Sequence, residues 1–224
     1  MNLLTIEYIN DCIEKSNRLE SKVPSDVLDI QGWSSQKIKH LLNNLCSNQD
    51  AKFLEVGVWK GSTHISALYG NNIPSCAIDN FSGHWDNVGH PFESEDGSVE
   101  KLEFNSNCEK FLGSTVQLID LDFKDAIKSL KANSFNILFY DGDHEIESQY
   151  EAVALGTRVM TKEFLLLVDD WNWDKVQEGT KKALQNKKLN VLHQWELPAF
   201  KVGDYDEWWN GLAIFLIQKV QKNV

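Results

Sequence analysis

From residue 52 onward the chain repeats one arrangement, a short apolar run followed by a turn and a stretch of helix-like periodicity. The apolar runs are "KFLEVGV", "SCAIDNF", "VQLIDL" (116–121), "FNILFYD" (135–141) and "EFLLLVDD" (163–170). Between them lie "STHISALYG" and helical patterns over 123–131 and about 145–160. Such alternation spells βαβ units and a mostly parallel sheet. The C-terminal runs "NVLHQWEL" and "GLAIFLIQK" have no helix between them. They are therefore expected to pair antiparallel across the loop around 198–210 and to close one edge of the sheet. Two helical patterns precede the repeat, at about 3–20 and 34–47. The second places Ile38, Leu41, Leu42 and Leu45 at helical spacing, with Ser34 or Ser35 as its cap. One domain spanning 1–224 is expected, with residues 1–50 as a helical cap on a core of residues 51–224.

Composition narrows the setting. A chain of 224 residues with 42% hydrophobic content and eight tryptophans can bury a sizeable core within a single domain. Its 22 basic and 33 acidic residues give a formal charge of −11, which repels phosphate backbones and anionic lipid. Neither nucleic acid nor a membrane is an expected partner. Cys12, Cys46, Cys76 and Cys108 are widely spaced, with no CxxC pair, as structural thiols in a reducing cytoplasm would be. The N-terminal "MNLLTIEYINDCIEK" interrupts its apolar residues with Glu7, Asp11 and Glu14, unlike a signal peptide. The longest apolar runs, "FLLLV" and "LAIFLI", fall far short of the roughly 20 residues that span a bilayer.

The first chemical motif is "LEVGVWKGST". Here Glu55 ends an apolar strand while Gly57 and Gly61 occupy the turn into the next helix, where the backbone can approach a ligand closely. This ExGxxxG pattern is neither the GxGxxG of dinucleotide enzymes nor a P-loop. A tight structural turn with an incidental glutamate would look the same in isolation. The next strand, however, ends in Asp79, a carboxylate placed to accept hydrogen bonds from a ribose diol. Two carboxylates beside a glycine turn suit a nucleoside ligand.

Taken in order, "LEVGVWKGST", "AIDNFSG", "LIDLDFKDAI", "FYDGDHEIESQYEAV" and "LLLVDDW" resemble the class I S-adenosylmethionine-dependent methyltransferases over most of residues 30–220. The resemblance implies a three-layer, Rossmann-like α/β fold with a seven-stranded, mostly parallel sheet and an antiparallel C-terminal hairpin strand. It also implies S-adenosylmethionine as cofactor. Glu55, Gly57, Gly61 and Ser62 would line its methionine and ribose end, Asp79 and Asn80 would meet the ribose, Asp122 and Phe123 would border the adenine, and Asp141 would face the same pocket. For Asp122 a helix-capping role stands beside the adenine role. A sulfonium cation also favours an acidic cleft with aromatic faces.

The second half is most similar to the metal-dependent O-methyltransferases, of the catechol and antibiotic-sugar types. Asp141 ends one strand and Asp169 with Asp170 ends the next, and adjacent parallel strands bring their carboxyl ends together. Three converging carboxylates would repel one another, and a hard divalent cation such as Mg²⁺ relieves that repulsion. Calcium or manganese is also chemically allowed. A metal can lower the pKa of a bound acceptor hydroxyl and fix its angle of attack. His144 is the first choice for the general base and Asp143 the second, because imidazole titrates near neutrality. For His144, capping the next helix or bonding a metal-bound carboxylate is the alternative. In the family the DGDH motif is followed more directly by a tyrosine, whereas "EIESQY" delays it here to Tyr150.

Residues 80–100, "NFSGHWDNVGHPFESEDGSVE", lack periodicity and read as a long loop of the kind that serves as a lid. Within it His84, Asp86, His90 and Glu93 match no strong ligand spacing, which favours a solvated loop over a second metal site. Trp208 and Trp209 could line an acceptor pocket or make core and homodimer contacts. The expected activity is therefore O-methylation of a small hydroxylated acceptor, a sugar or a phenol. A metal-independent methyltransferase of the same fold and a non-catalytic cofactor-binding module are the alternatives.

Overall fold

The computed structural model describes residues 3–82, 96–114 and 116–220. In chain order its elements are α1 (Ile6–Asn17), α2 (Ser25–Leu28), α3 (Gln36–Cys46), β1 (Phe53–Val56), α4 (Ser62–Leu68), β2 (Ser75–Ile78), α5 (Ser98–Leu112) and β3 (Leu118–Ile119). They continue with α6 (Phe123–Ser129), β4 (Phe135–Tyr140), α7 (Ile146–Gly156), β5 (Met160–Val168), α8 (Asp174–Asn186), β6 (Asn190–Leu197) and β7 (Leu212–Gln218). The seven strands form one sheet in the order β3-β2-β1-β4-β5-β7-β6. Strands β1 to β5 pair in parallel, and β7 runs antiparallel to both β5 and β6. This is the mostly parallel sheet with an antiparallel C-terminal hairpin that the alternation predicts. The hairpin enters in an unexpected order, with the later strand β7 inside and the earlier strand β6 at the edge.

Both faces of the inner strands are covered, which is why they read as near-continuous apolar runs, whereas the edge strand β6 is exposed or half-buried along its length. Leu54, Val56, Leu138, Tyr140, Leu166, Val168 and Phe215 point to one face and pack with Ala126 and Ile127 of α6, Ala152 and Val153 of α7 and Val176 and Ala183 of α8. The alternate residues Phe53, Ile137, Phe139, Leu165, Leu167, Ile214 and Leu216 point to the other face. There they share a core with Ile9 and Ile13 of α1 and Leu41, Leu42 and Leu45 of α3. The first fifty residues thus supply part of a helical layer against the sheet itself. Each large apolar side chain buried this way contributes roughly 1.5–3 kcal/mol.

Local signals set the helix starts. Thr5 caps α1 through a 3.3 Å hydrogen bond from the Tyr8 N–H, and Ser35, of the two candidate serines, caps α3 by accepting from Ile38 N–H at 3.4 Å. One helix of this layer carries a buried cation. Lys39 is 4% exposed, and its Nζ donates to the carbonyls of Leu28 (2.8 Å), the last residue of α2, and Ile30 (3.4 Å), just beyond it. Burial pushes its pKa down to about 8, against a smaller upward pull from Asp29.

That depression has a definite sign in stability. Between the folded value of about 8 and the unfolded value of about 10.4, the unfolded chain holds the extra proton, so stability rises with pH there relative to a chain lacking the lysine. In urea unfolding, the difference between wild type and Lys39→Met should shift in favour of wild type, by about 2–3 kcal/mol between about pH 7.5 and 10. A pH-independent difference would contradict this reading of Lys39.

Candidate active site

Sheet order places the site. The chain leaves β1 for β2 on one side and later returns to lay β4 on the other, opening a crevice at the carboxyl ends of β1 and β4. The turn after β1 and the end of β4 touch there. Asp141 N–H donates to Val56 O at 2.9 Å, and a Cβ on Gly57 would lie 1.9 Å from the Asp141 carbonyl oxygen. Gly57 also has φ +85°, so only glycine fits on both counts. Gly61, at φ +89°, precedes α4, where a Cβ would press on Ile65 and Phe104.

Two carboxylates hold this turn. Asp79, just past β2, accepts from the backbone N–H groups of Val58 and Trp59 at 2.8 Å each through Oδ2, and from Phe81 N–H at 2.7 Å through Oδ1. Burial raises its pKa, the three N–H bonds oppose the rise, and the charge of Asp120 adds to it. Glu55 lies on the far face of β1, fully buried; Thr63 donates to its Oε1, and His64 Nδ1 lies 3.0 Å from its Oε2.

The remaining candidates for cofactor contact take separate places. Ser62 is buried and donates to Ile30 O at 3.0 Å, while Asn80 is exposed and its Oδ1 accepts from Ser82 N–H at 3.2 Å. Asp122 caps α6 by accepting from Lys124 N–H at 2.8 Å. Beside it, Phe123 meets Tyr140 edge to face with ring centres 6.0 Å apart. The turn also presents Trp59, whose ring packs on Trp33 at 5.1 Å.

At the ends of β4 and β5 the acids converge. One ligand atom each from Asp141, His144 and Asp170 can be chosen so that all lie within 4.8 Å of one another. His144 Nε2 is 2.6 Å from Asp170 Oδ2, and its ring stands edge-on to Trp173 at 4.8 Å. Asp170 Oδ1 accepts from Asn210 Nδ2 at 2.6 Å. A backbone φ of +54° at Asp170 lies in a region that aspartate tolerates better than most residues. Asp169 is 1% exposed, outside that trio of atoms, and neither carboxylate oxygen makes a well-formed hydrogen bond among the described residues.

The electrostatics follow from crowding. Burial drives Asp141 well above the ordinary carboxylate range; Asp170 adds to the rise and His144 opposes it. Asp169 is raised by burial and then by Asp141 and Asp170, with the Asp170 N–H opposing. For His144, burial pulls down, but the bond to Asp170 and the charges of Asp170, Asp141 and Asp143 outweigh it, and the net direction is up.

Asp143 does not join the cluster. Its carboxylate is exposed and spent on the start of α7, accepting from Ser148 Oγ at 2.5 Å and from Glu145 N–H at 3.3 Å. Trp208 is buried in the core against the α1 and α3 layer. His84, Asp86, His90 and Glu93 lie outside the described residues. Sequence reasoning missed Thr63, His64 and Asn210. The first two sit directly after the glycine motif and could have been read as partners for Glu55, whereas nothing near Asn210 in the sequence points to Asp170.

Residues 54–171, more than half of the chain, match the family model of a methyltransferase domain. No curated protein matches with significant similarity. Among solved structures, a Corynebacterium glutamicum protein superposes with a TM-score of 0.59 at 12% identity, covering 98% of this chain and 92% of its own. An O-methyltransferase of Bacillus cereus, solved with SAH, gives 0.54 at 12% identity over 96% and 92%. A proposed RNA methyltransferase of Pyrococcus horikoshii gives 0.57 at 11% over 96% and 98%. Against Thermus thermophilus TrmN, at 0.58 and 12% identity, this chain covers 92% of itself but about half, 53%, of the longer protein. At such identities these likenesses establish the fold.

Two substitutions test the geometry. Gly57→Ala must displace the Asp141 carbonyl and strain a left-handed backbone, and it should cost at least about 2 kcal/mol in urea unfolding. Asp169→Asn should act oppositely. A carboxylate whose folded pKa is raised destabilises the fold once pH exceeds the unfolded value of about 3.9, so stability falls as pH rises towards the folded value. In chelator, thermal scans should therefore show Asp169→Asn more stable than wild type at pH 7, by about 1 kcal/mol or more, with the gain shrinking towards pH 5.

Proposed function

The chain belongs to the methyltransferase domain family, and on that premise we propose that it carries out divalent-metal-assisted O-methylation of a small hydroxylated acceptor, a sugar or a phenol, with S-adenosylmethionine as methyl donor. One observation carries the metal-assisted part. Asp141, His144 and Asp170 converge within 4.8 Å at the strand ends that flank the glycine turn. Two carboxylates, with the buried Asp169 behind them, make an oxygen-rich set whose mutual repulsion a divalent cation relieves, and Asp141 and Asp170 would hold it. A cation there would lower the acceptor hydroxyl's pKa and fix its approach. The formal charge of −11 supports a small acceptor over RNA.

The chain's own residues account for the proton. His144, its Nε2 2.6 Å from Asp170 Oδ2, takes the hydroxyl proton as the acceptor oxygen bonds to the methyl group and the methyl–sulfonium bond breaks. Asp170 then balances the imidazolium that forms, and the edge of Trp173 limits the ring's rotation. Around the cofactor, Gly57 lets the turn lie close against β4, and Asp79 fixes that turn while one of its lone pairs can still meet a ribose hydroxyl.

A metal-independent reaction is the second reading, because both oxygens of Asp170 are already engaged, one by His144 and the other by Asn210. Such a pair can orient a base without a cation. Calorimetric titration with S-adenosylhomocysteine, with and without Mg²⁺, followed by an acceptor screen separates the readings. Asp141→Ala should lose cation-stimulated turnover while keeping cofactor affinity within a few-fold. Full turnover in chelator would favour the second reading, and absence of cofactor binding would sink both. The upward shift of His144 also predicts that its ring, followed by NMR in chelator, titrates above 6.5, and that a cation held by Asp141 and Asp170 lowers that value. His144→Gln should lower kcat by about 10²–10⁴-fold.

A further inference from the structure

We propose that Asn210 is a positioning residue that couples the loop between β6 and β7 to the carboxylate of Asp170, so that the two set each other's place. The inference rests on the reading of Asp170 as part of the reaction site. Asn210 is 6% exposed, and both ends of its amide are committed. Nδ2 donates to Asp170 Oδ1 at 2.6 Å, and Oδ1 accepts from the backbone N–H of Gly203, also at 2.6 Å. A carboxylate can only accept and a backbone N–H can only donate, so the amide has one workable orientation. One rigid planar group thus joins the strand-end carboxylate to the middle of the loop.

Other bonds hold the loop's two ends against the residues beside Asp170. Asn172 Nδ2 donates to Ala199 O at 2.7 Å at the start of the loop. At its end, Trp171 N–H donates to Gly211 O and Asn172 N–H to Asn210 O, each at 2.9 Å. These bonds fix backbone to backbone or to an amide, and only Asn210 reaches the carboxylate. The loop it grips carries Phe200, Val202 and Tyr205, which are 88%, 82% and 57% exposed. Their side chains stand in solvent while the Asp204–Trp209 bridge, the Tyr205–Trp209 ring contact at 4.6 Å and the Lys37–Glu207 ion pair at 2.7 Å hold the loop's tip, and the Gly203 tie joins that unit to Asp170. A change in the loop is then a change in what Asp170 can offer His144.

Hydrogen exchange at the amides of residues 199–205 in the full chain tests the coupling without relying on turnover. Asn210→Ala should speed their exchange by about tenfold, as loss of one well-made hydrogen bond allows. Asp170→Gly, which suits the left-handed backbone there, should speed it comparably, and the double variant should exchange no faster than either single one. Asp170→Asn keeps an oxygen that can accept from Asn210, and it should restore near-native protection. The coupling is overturned if Asp170→Gly leaves the loop as in wild type, if the two substitutions add, or if Asp170→Asn exchanges as fast as the glycine variant. Calorimetry with S-adenosylhomocysteine on wild type distinguishes the underlying reading, since loss of cofactor binding there would sink the proposed function while the exchange result still judged Asn210.

Discussion

The closeness of two backbone segments governs the site. The end of β4 approaches the turn after β1 until the Asp141 carbonyl fills the space where a side chain on residue 57 would stand. Asp141 N–H closes on Val56 O, and Gly57 N–H closes on Ile78 O, so the turn is pinned to the strands on both sides of β1. A bulkier residue at 57 would part β1 from β4 at the point where the sheet reverses direction. Because Asp141 is the residue that makes the contact, the packing that shapes the glycine turn also places the first acid of the cluster. The glycine turn and the acid cluster share one backbone fixture.

The four carboxylates that surround Asp141 differ mainly in what satisfies them. Asp79 is held by three backbone N–H groups, Glu55 by Thr63 and His64, Asp170 by His144 and Asn210, and Asp169 by no well-formed hydrogen bond among the described residues. A carboxylate fixed by backbone donors is preorganised and costs little to use again. One buried without donors is unfavourable as an anion, and the raised pKa of Asp169 expresses that. Carboxylates of one site are thereby set apart by their neighbours.

Much of the fold was legible because inner strands buried on both faces leave near-continuous apolar runs, and each strand read from "KFLEVGV" to "GLAIFLIQK" exists. Three helices were not legible, the single turn α2 and the longer α5 and α8. In α5 the buried residues are Glu100, Phe104 and Cys108, a narrow stripe with a carboxylate in it, and α8 buries Gly179 and Thr180 among its contacts. Neither shows the broad apolar face that periodicity detects. At the site, Asp141, Asp170 and His144 could be placed near one another because strand ends in a parallel sheet converge. Orientation could not be read, since adjacent Asp169 and Asp170 differ in direction through a backbone angle that no motif encodes. Asn210 was invisible for a different reason, being forty residues from its partner in sequence and joined to it only through the loop.

The order of the last strands bears on how the chain reaches this state. Strand β6 is made before β7 yet has no partner in the sheet except β7, which sits between it and β5. Until β7 arrives, β5 presents an open row of backbone donors and acceptors over its apolar length, and β6 is a lone strand. A folding intermediate holding everything up to β6 would thus carry an unprotected edge of the kind that recruits strands from other molecules. The final hairpin works as the closing step of assembly, and contacts between β5 and β7, distant in sequence, should form late and slow the overall rate. Crowded synthesis would expose that edge for longest, which makes the interval before β7 docks the chain's period of greatest vulnerability to aggregation.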